Sequence, residues 1–148
     1  MEVNHLKKFL EAQNQVYLKA LQEIKNGRKE THWMWFIFPQ LKGLGQSETA
    51  RFYAIADLQE ATDYLAHPVL GKHLIEISEA LLNIEDKSAS DLFGYPDDVK
   101  LRSCMTLFAN LENPHPVFAS VLKRYFNGLQ DEETLKLLLR NKLHYDTI

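Results

Sequence analysis

The sequence predicts an all-α fold: a single compact domain of about six to eight helices around a central helix. Three observations predict it. Apolar residues recur at spacings of three and four along most of the 148-residue chain, which is the period of one helix face. Capping residues precede these stretches and Gly or Pro follows them, at helical lengths. No long apolar–polar alternation marks a strand, and no internal repeat, low-complexity tract or linker divides the chain, so residues 1–148 read as one globular helical domain.

The first helix is expected from about Asn4 to Asn26, with Leu6, Phe9, Leu10, Val16, Tyr17, Ala20, Leu21 and Ile24 on its stripe. Asn4 is placed to cap its start and Gly27 to end it in the left-handed conformation. Lys25, Arg28 and Lys29 suit the negative pole of its dipole. The stretch Thr31 to Gln40 reads THWMWFIFPQ and is apolar on all sides. Periodicity leaves both a buried short helix and a buried strand open there. Pro39 biases Phe38 away from helical angles, so a helix would end at that point. Gly43 and Gly45 mark an irregular loop.

Ser47 opens a short helix through Arg51, Phe52 and Tyr53. Asp57 and Glu60 have the spacing of a capping box, with Leu58, Ala61 and Leu65 following. That helix stops near His67, and Pro68 suits the first position of the next. The next stripe is Val69, Leu70, Leu74, Ile77, Leu81 and Ile84. Ser88 and Asp91 predict a brief capped turn ending at Gly94. A longer helix from about Pro96 to Leu111 is apolar over a wide face, which makes it the central one. Asn113, Pro114 and Pro116 break the chain, Val117 to Phe126 form another helix closed by Gly128, and Asp131 caps the last. Leu135, Leu138, Leu139 and Leu143 are its inside residues.

Composition narrows the function classes. Hydrophobic residues are 45% and charged residues 25%, as in ordinary globular proteins. A domain of this size buries roughly 68–70% of its unfolded surface, so its core needs no staple. The net charge of -3, from 17 basic and 20 acidic residues, does not suggest a dedicated nucleic-acid binder. Cys104 is the sole cysteine. That excludes a disulfide within the chain and a multi-thiolate zinc site, and it fits a reducing, cytoplasmic location. The N-terminus carries Glu2, His5, Lys7 and Lys8 and no apolar signal core, which argues against secretion. The longest purely apolar run, Trp33 to Phe38, is far short of the ~20 residues that span a bilayer. No His-Glu-x-x-His string, EF-hand loop or cysteine pair is present, so no metal and no cofactor is expected.

Four strings are distinctive together: HWMWFIFPQ at 32–40, YAI at 53–55, YLAHPVLG at 64–71 and KLRSCMTLF at 100–108. They closely resemble the bacterial domain of unknown function 1810 family, labelled calpastatin-like in genomes, over about Leu6 to Phe126. The resemblance implies an all-helical, compact fold and brings no established reaction. Calpain inhibitors of the calpastatin kind are long disordered chains, whereas this composition is globular. Cys104 is a departure, since many family members carry a second serine there. A catalytic hydroxyl at that position would be lost, while in a core cysteine is a tolerable small substitute.

Trp33 and Trp35, with Met34, Phe36 and Phe38, read first as core anchors and second as a stacking wall for a base or aromatic ligand. A buried indole N–H needs a polar partner. His32, Gln40, Tyr53 and His67 border these segments, and both histidines have acid–base capacity near neutral pH. His67 also reads as a helix terminator hydrogen-bonded to a carbonyl. Asp97 and Asp98 suit the first turn of the central helix, with Asp98 and Arg102 at ion-pair spacing. Lys100, Ser103 and Thr106 recur at about one turn and would line a pocket for an anionic or ribose-bearing ligand. Lys100 and Ser103 also form a weak serine–lysine nucleophile signal. Arg51 reads first as a surface arginine and second, with Tyr53, as a phosphate clamp. Gly43-Leu44-Gly45 lacks the pattern of a phosphate loop. His5, His73, His115 and His144 read as surface or capping residues.

Three function classes follow. The first is a small-ligand-binding or accessory domain, with its site where the aromatic segment meets the central helix and an anionic or nucleotide-like partner. The second is an enzyme hydrolysing a nucleotide or ADP-ribose-like substrate. The Ala12-Gln13 helix and the aromatic segment loosely resemble the helical NADAR group of ADP-ribose-linked N-glycosidases, a resemblance of few residues that transfers no catalytic residue. Asp98 or Glu48 would then stabilise an oxocarbenium ion, and Trp33 or Trp35 would stack on the base. The third is a protein-interaction module presenting an exposed aromatic patch. Nothing in the sequence sets the oligomeric state.

Overall fold

The expected first helix is two helices, because its stripe has two partners to cover. A 3-10 turn over Asn4–Leu6 leads into α1 (Lys7–Gln13) and α2 (Tyr17–Lys25). The chain turns between them, where the Val16 amide reaches back only to the Gln13 carbonyl, at 3.1 Å. The turn lets α1 pack on α3 (Met34–Ile37) while α2 packs on α6 (Leu70–Leu82). These contacts belong to a computed structural model that describes residues 4–146, and side chains from His5 to Lys142. Glu2 and the side chains of Asn4, Leu143 and His144, for which roles were expected, lie outside the described residues.

The aromatic segment is a helix of one turn, α3. It ends at Phe38 (φ -122°, ψ 73°), where the ring of Pro39 disfavours helical angles. After the loop comes α4 (Glu48–Phe52), capped by the Ser47 hydroxyl, which accepts from the Ala50 amide at 3.1 Å. Asp57 caps α5 (Leu58–Ala66) by accepting from the Glu60 amide at 2.9 Å. The Glu60 carboxylate reaches past the cap to the Ala56 amide at 3.1 Å, so the box is offset by one residue. Pro68 lies in the turn ahead of α6, and Ile84 lies beyond that helix's end.

The short helix α7 (Ala89–Phe93) has the full capping box of Ser88 and Asp91 and stops at Gly94, φ +72°. A cis Tyr95–Pro96 bond follows. The helix after it, α8 (Asp97–Ala109), is central: Leu101 and Ser103 to Phe108 are all buried. It packs against α5, α7, α9 (Pro116–Phe126) and α10 (Glu132–Asp146). One contiguous apolar cluster joins Phe9, Trp33, Phe38, Tyr64, Phe108 and Phe118.

Ten α-helices are therefore present among the described residues, more than six to eight. The first helix divides, and short segments such as 34–37 take a single turn. No strand occurs among the described residues; one parallel bridge pairs Leu41 with Ile55. Its bonds, Lys42 N–H to Ile55 O and Ile55 N–H to Gln40 O, both 2.8 Å, hold the 39–45 loop beside α4. No helix among the described residues is long and apolar enough to cross a membrane.

Candidate ligand site on the aromatic segment

A buried carboxylate fastens the entrance to α3. Glu23 of α2 is 7% exposed and accepts from the Glu30 amide (2.7 Å), the Thr31 amide (3.0 Å), the Thr31 hydroxyl (2.6 Å) and the Trp33 indole N–H (3.0 Å). Burial pushes its pKa up, but the Thr31 hydroxyl, the two amides and the indole outweigh it and hold the carboxyl at about 2. The indole donor is thus satisfied inside the core. Lys29 ties the same turn to α8: its Nζ lies 2.9 Å from Asp97 Oδ2 and donates to the Thr31 carbonyl at 2.6 Å. It also stands 5.1 Å over the Trp33 ring.

Two residues along a helix turn about 200°, so the two tryptophans face opposite ways. Trp33 is fully buried, whereas Trp35 is half-buried at the surface. Lys100 Nζ sits 5.2 Å over the Trp35 ring and 3.4 Å from Asp97 Oδ1. Asp97 therefore bridges Lys29 and Lys100 in the first turn of α8, where the helix dipole favours its charge.

Trp35, Gln40, Leu41, Gly45, Ala50, Tyr53 and Lys100 surround a crevice of about 30 Å³, space for roughly one water. Gly45 keeps it tight, since a Cβ there would fall 2.4 Å from the Ala50 Cβ. Alongside lies an open depression of about 800 Å³, lined by Trp35, Phe36, Glu48, Thr49, Arg51, Phe52 and Tyr53. The Tyr53 ring lies 5.3 Å from Phe36 and 4.8 Å from Phe52, between centroids, which makes a continuous aromatic floor. Phe52 is 56% exposed, and Lys8 stands 5.3 Å over its ring.

The family described as "Protein of unknown function (DUF1810)" matches residues 3–138. The chain belongs to the DUF1810 family. It is similar to a solved structure, the conserved hypothetical protein Rv1873 from Mycobacterium tuberculosis, at 44% identity and a TM-score of 0.89, over 90% of this chain and 96% of that one. No curated protein matches it. The DUF1810 name carries no reaction, so chemistry has to be read from the side chains.

Of the residues singled out from sequence, this DUF1810 fold brings Trp35, Gln40, Tyr53 and Lys100 together. Trp33 offers no face to a ligand, because its ring is enclosed. His32 is exposed and lines neither crevice nor depression. His67 ends α5, but its Nδ1 accepts from the Val69 and Leu70 amides (3.1 and 3.3 Å) instead of meeting a carbonyl. Asp98 Oδ1 accepts from the Val99 amide at 2.9 Å, and Arg102 turns away to donate to the Leu129 and Gln130 carbonyls (2.9 and 2.8 Å).

Ser103 and Thr106 are buried and diverge from Lys100. Ser103 donates to the Val99 carbonyl at 3.2 Å. Thr106 donates to the Arg102 carbonyl and accepts from the Asp131 amide, both at 2.8 Å, which joins α8 to α10. Sequence reasoning passed over Glu23, and it read Lys29 and Asp97 only as helix-end charges. A buried tryptophan signals the need for a polar partner, but its spacing to that partner carries no signature.

Proposed function

We propose that this chain is a cytoplasmic domain that binds a small anionic ligand with a flat ring, of nucleotide type, in the depression beside Trp35. The observation that carries the proposal is Lys100 over the half-buried Trp35 ring at the edge of an aromatic-floored depression. A base-like ring gains from stacking on such a floor. Arg51, on the rim, has its guanidinium engaged among the described residues only by Gln46 at 3.4 Å, and with Lys100 it suits phosphate. The crevice beside Gln40 takes one small polar group of the ligand or a bridging water.

A thermal-shift screen against nucleotides, NAD, ADP-ribose and sugar phosphates tests the proposal, because binding to the native state raises Tm. A shift for nucleotides that disappears in Lys100→Ala and in Trp35→Phe supports it. No shift at millimolar ligand refutes it and moves the weight to a protein partner on the same aromatic surface. Hydrolysis of the ligand is a second reading, favoured by Glu48, the carboxylate in the lining of the depression. Base release from NAD or ADP-ribose that Glu48→Gln abolishes, with binding retained, would establish it.

A further inference from the structure

A second polar cluster lies away from the aromatic depression, where α1 and α2 meet α6. Gln13 is 2% exposed and donates through Nε2 to the Phe36 carbonyl (2.7 Å) and the Tyr64 hydroxyl (3.0 Å). Those bonds orient its amide, since a flipped Gln13 would set its oxygen against the Phe36 carbonyl oxygen. Gln13 Oε1 therefore faces His73 Nδ1 at 2.7 Å, and Nδ1 must carry the proton. The lone pair of neutral His73 is left on Nε2, for which no protein donor is present among the described residues.

The ring is locked in place, stacked on Tyr17 with centroids 3.6 Å apart and planes 7° apart. The Tyr17 hydroxyl shares its one proton between Glu76 and the His73 carbonyl, and among the described residues the second carboxylate oxygen of Glu76 is unengaged. These groups open onto a groove of about 680 Å³, whose apolar side is formed by Leu10, Leu18 and Val69. Leu18 is 79% exposed and leaves apolar surface beside the half-buried His73 and the exposed Glu76.

Among the described residues, two acceptors in this groove have no protein partner, His73 Nε2 and the second Glu76 oxygen, one turn apart on α6; the exposed side chains of Asn14 and Lys72 also line it. The matching ligand is a donor, and the carboxylate favours a charged one. We propose that the groove is a second ligand site and takes a small primary amine with an apolar body, its ammonium held by Glu76 and His73. The charged and titratable groups facing His73 are Tyr17 from α2 and Glu76 and Lys72 from α6. Burial lowers the His73 pKa against the pull of Glu76, and Lys72 lowers it further, so the ring is neutral at pH 7. Acidification charges the ring and sets it against the ammonium. Lys72 is exposed, with a stem long enough to carry its head to water.

The test is an NMR titration of the full chain with 3-methylbutylamine at pH 7.5, following the His73 and Tyr17 ring signals. Saturable shifts of both are expected, weakened about tenfold in Glu76→Gln, where the charge is lost but an oxygen still accepts from Tyr17. Trp35→Phe should leave the titration unchanged, which separates this site from the nucleotide proposal. Binding should also weaken as the pH falls through the His73 titration. Absence of ring shifts, equal affinity in Glu76→Gln, or equal binding of 3-methylbutanoate would each overturn the proposal.

Discussion

Replacing Glu23 with Gln removes one charge from the core and tests how the aromatic segment is anchored. The carboxyl titrates at about 2 in the fold against 4.5 ordinarily, a gap equivalent to about 3 kcal/mol at 1.36 kcal/mol per pKa unit. Because the folded pKa is depressed, this stability is complete above the unfolded value and is lost as the pH falls toward the folded one. At pH 3 only about 1.4 kcal/mol of it remains by the same linkage. Urea unfolding followed by circular dichroism should therefore show Glu23→Gln less stable than the parent by about 3 kcal/mol at pH 7, with the gap more than halved at pH 3. In a melt at pH 7 this is a fall of about 6–12 °C. Trp33 emission should shift red before the global transition in the variant, because the indole donor loses its charged acceptor. A loss below about 1 kcal/mol, or a gap unchanged between pH 7 and pH 3, would refute the assignment of Glu23 as the ionised anchor.

The two tryptophans should separate cleanly. Trp33→Ala should cost about 3–5 kcal/mol as a core truncation, and Trp35→Ala, at a half-buried ring, about 1 kcal/mol, both read by urea denaturation; equal losses would contradict their opposite facings. Gly71→Ala should destabilise by about 3 kcal/mol or more, because its Cβ would stand 1.9 Å from the Leu65 carbonyl oxygen where α5 turns into α6; a melting point within error of the parent would show that this turn yields. Cys104 is fully buried and burial pushes its thiol pKa up. A thiol reagent at pH 8 should leave native protein unlabelled and modify one thiol per chain in urea, and rapid native labelling would contradict the packing of α8.

Interactions closed within three or four residues were legible before any fold was known. Ser88 with Asp91, Asp57 with the Glu60 amide, and Asp131 with the Thr134 amide (2.9 Å) all stand where their spacing placed them. The wide apolar face from Leu101 to Phe108 likewise marked the central helix, because a helix packed on several neighbours needs apolar residues over most of its circumference. The candidate site was legible in part. Trp35, Gln40, Tyr53 and Lys100 could be named as candidates, because the aromatic run and the start of α8 are unusual on their own, but not set apart from His32, Trp33, His67, Asp98, Ser103 and Thr106.

The remainder depended on which helices pack together. The stripe from Leu6 to Ile24 is continuous in sequence, yet the chain breaks after Gln13 because α1 and α2 cover different partners. The same packing sends the Gln13 amide to Phe36, Tyr64 and His73, residues with no local relation to it. Lys29 reads as a favourable charge at a helix end, and only the approach of α8 makes it the partner of Asp97. By itself, then, the sequence determined the all-α class, most helices after Gln40 and most of their ends, since caps and stripes act over one turn. Tertiary structure alone decided which tryptophan is buried, which charges pair and where His73 points, because those energies arise between segments whose separation along the chain carries no period.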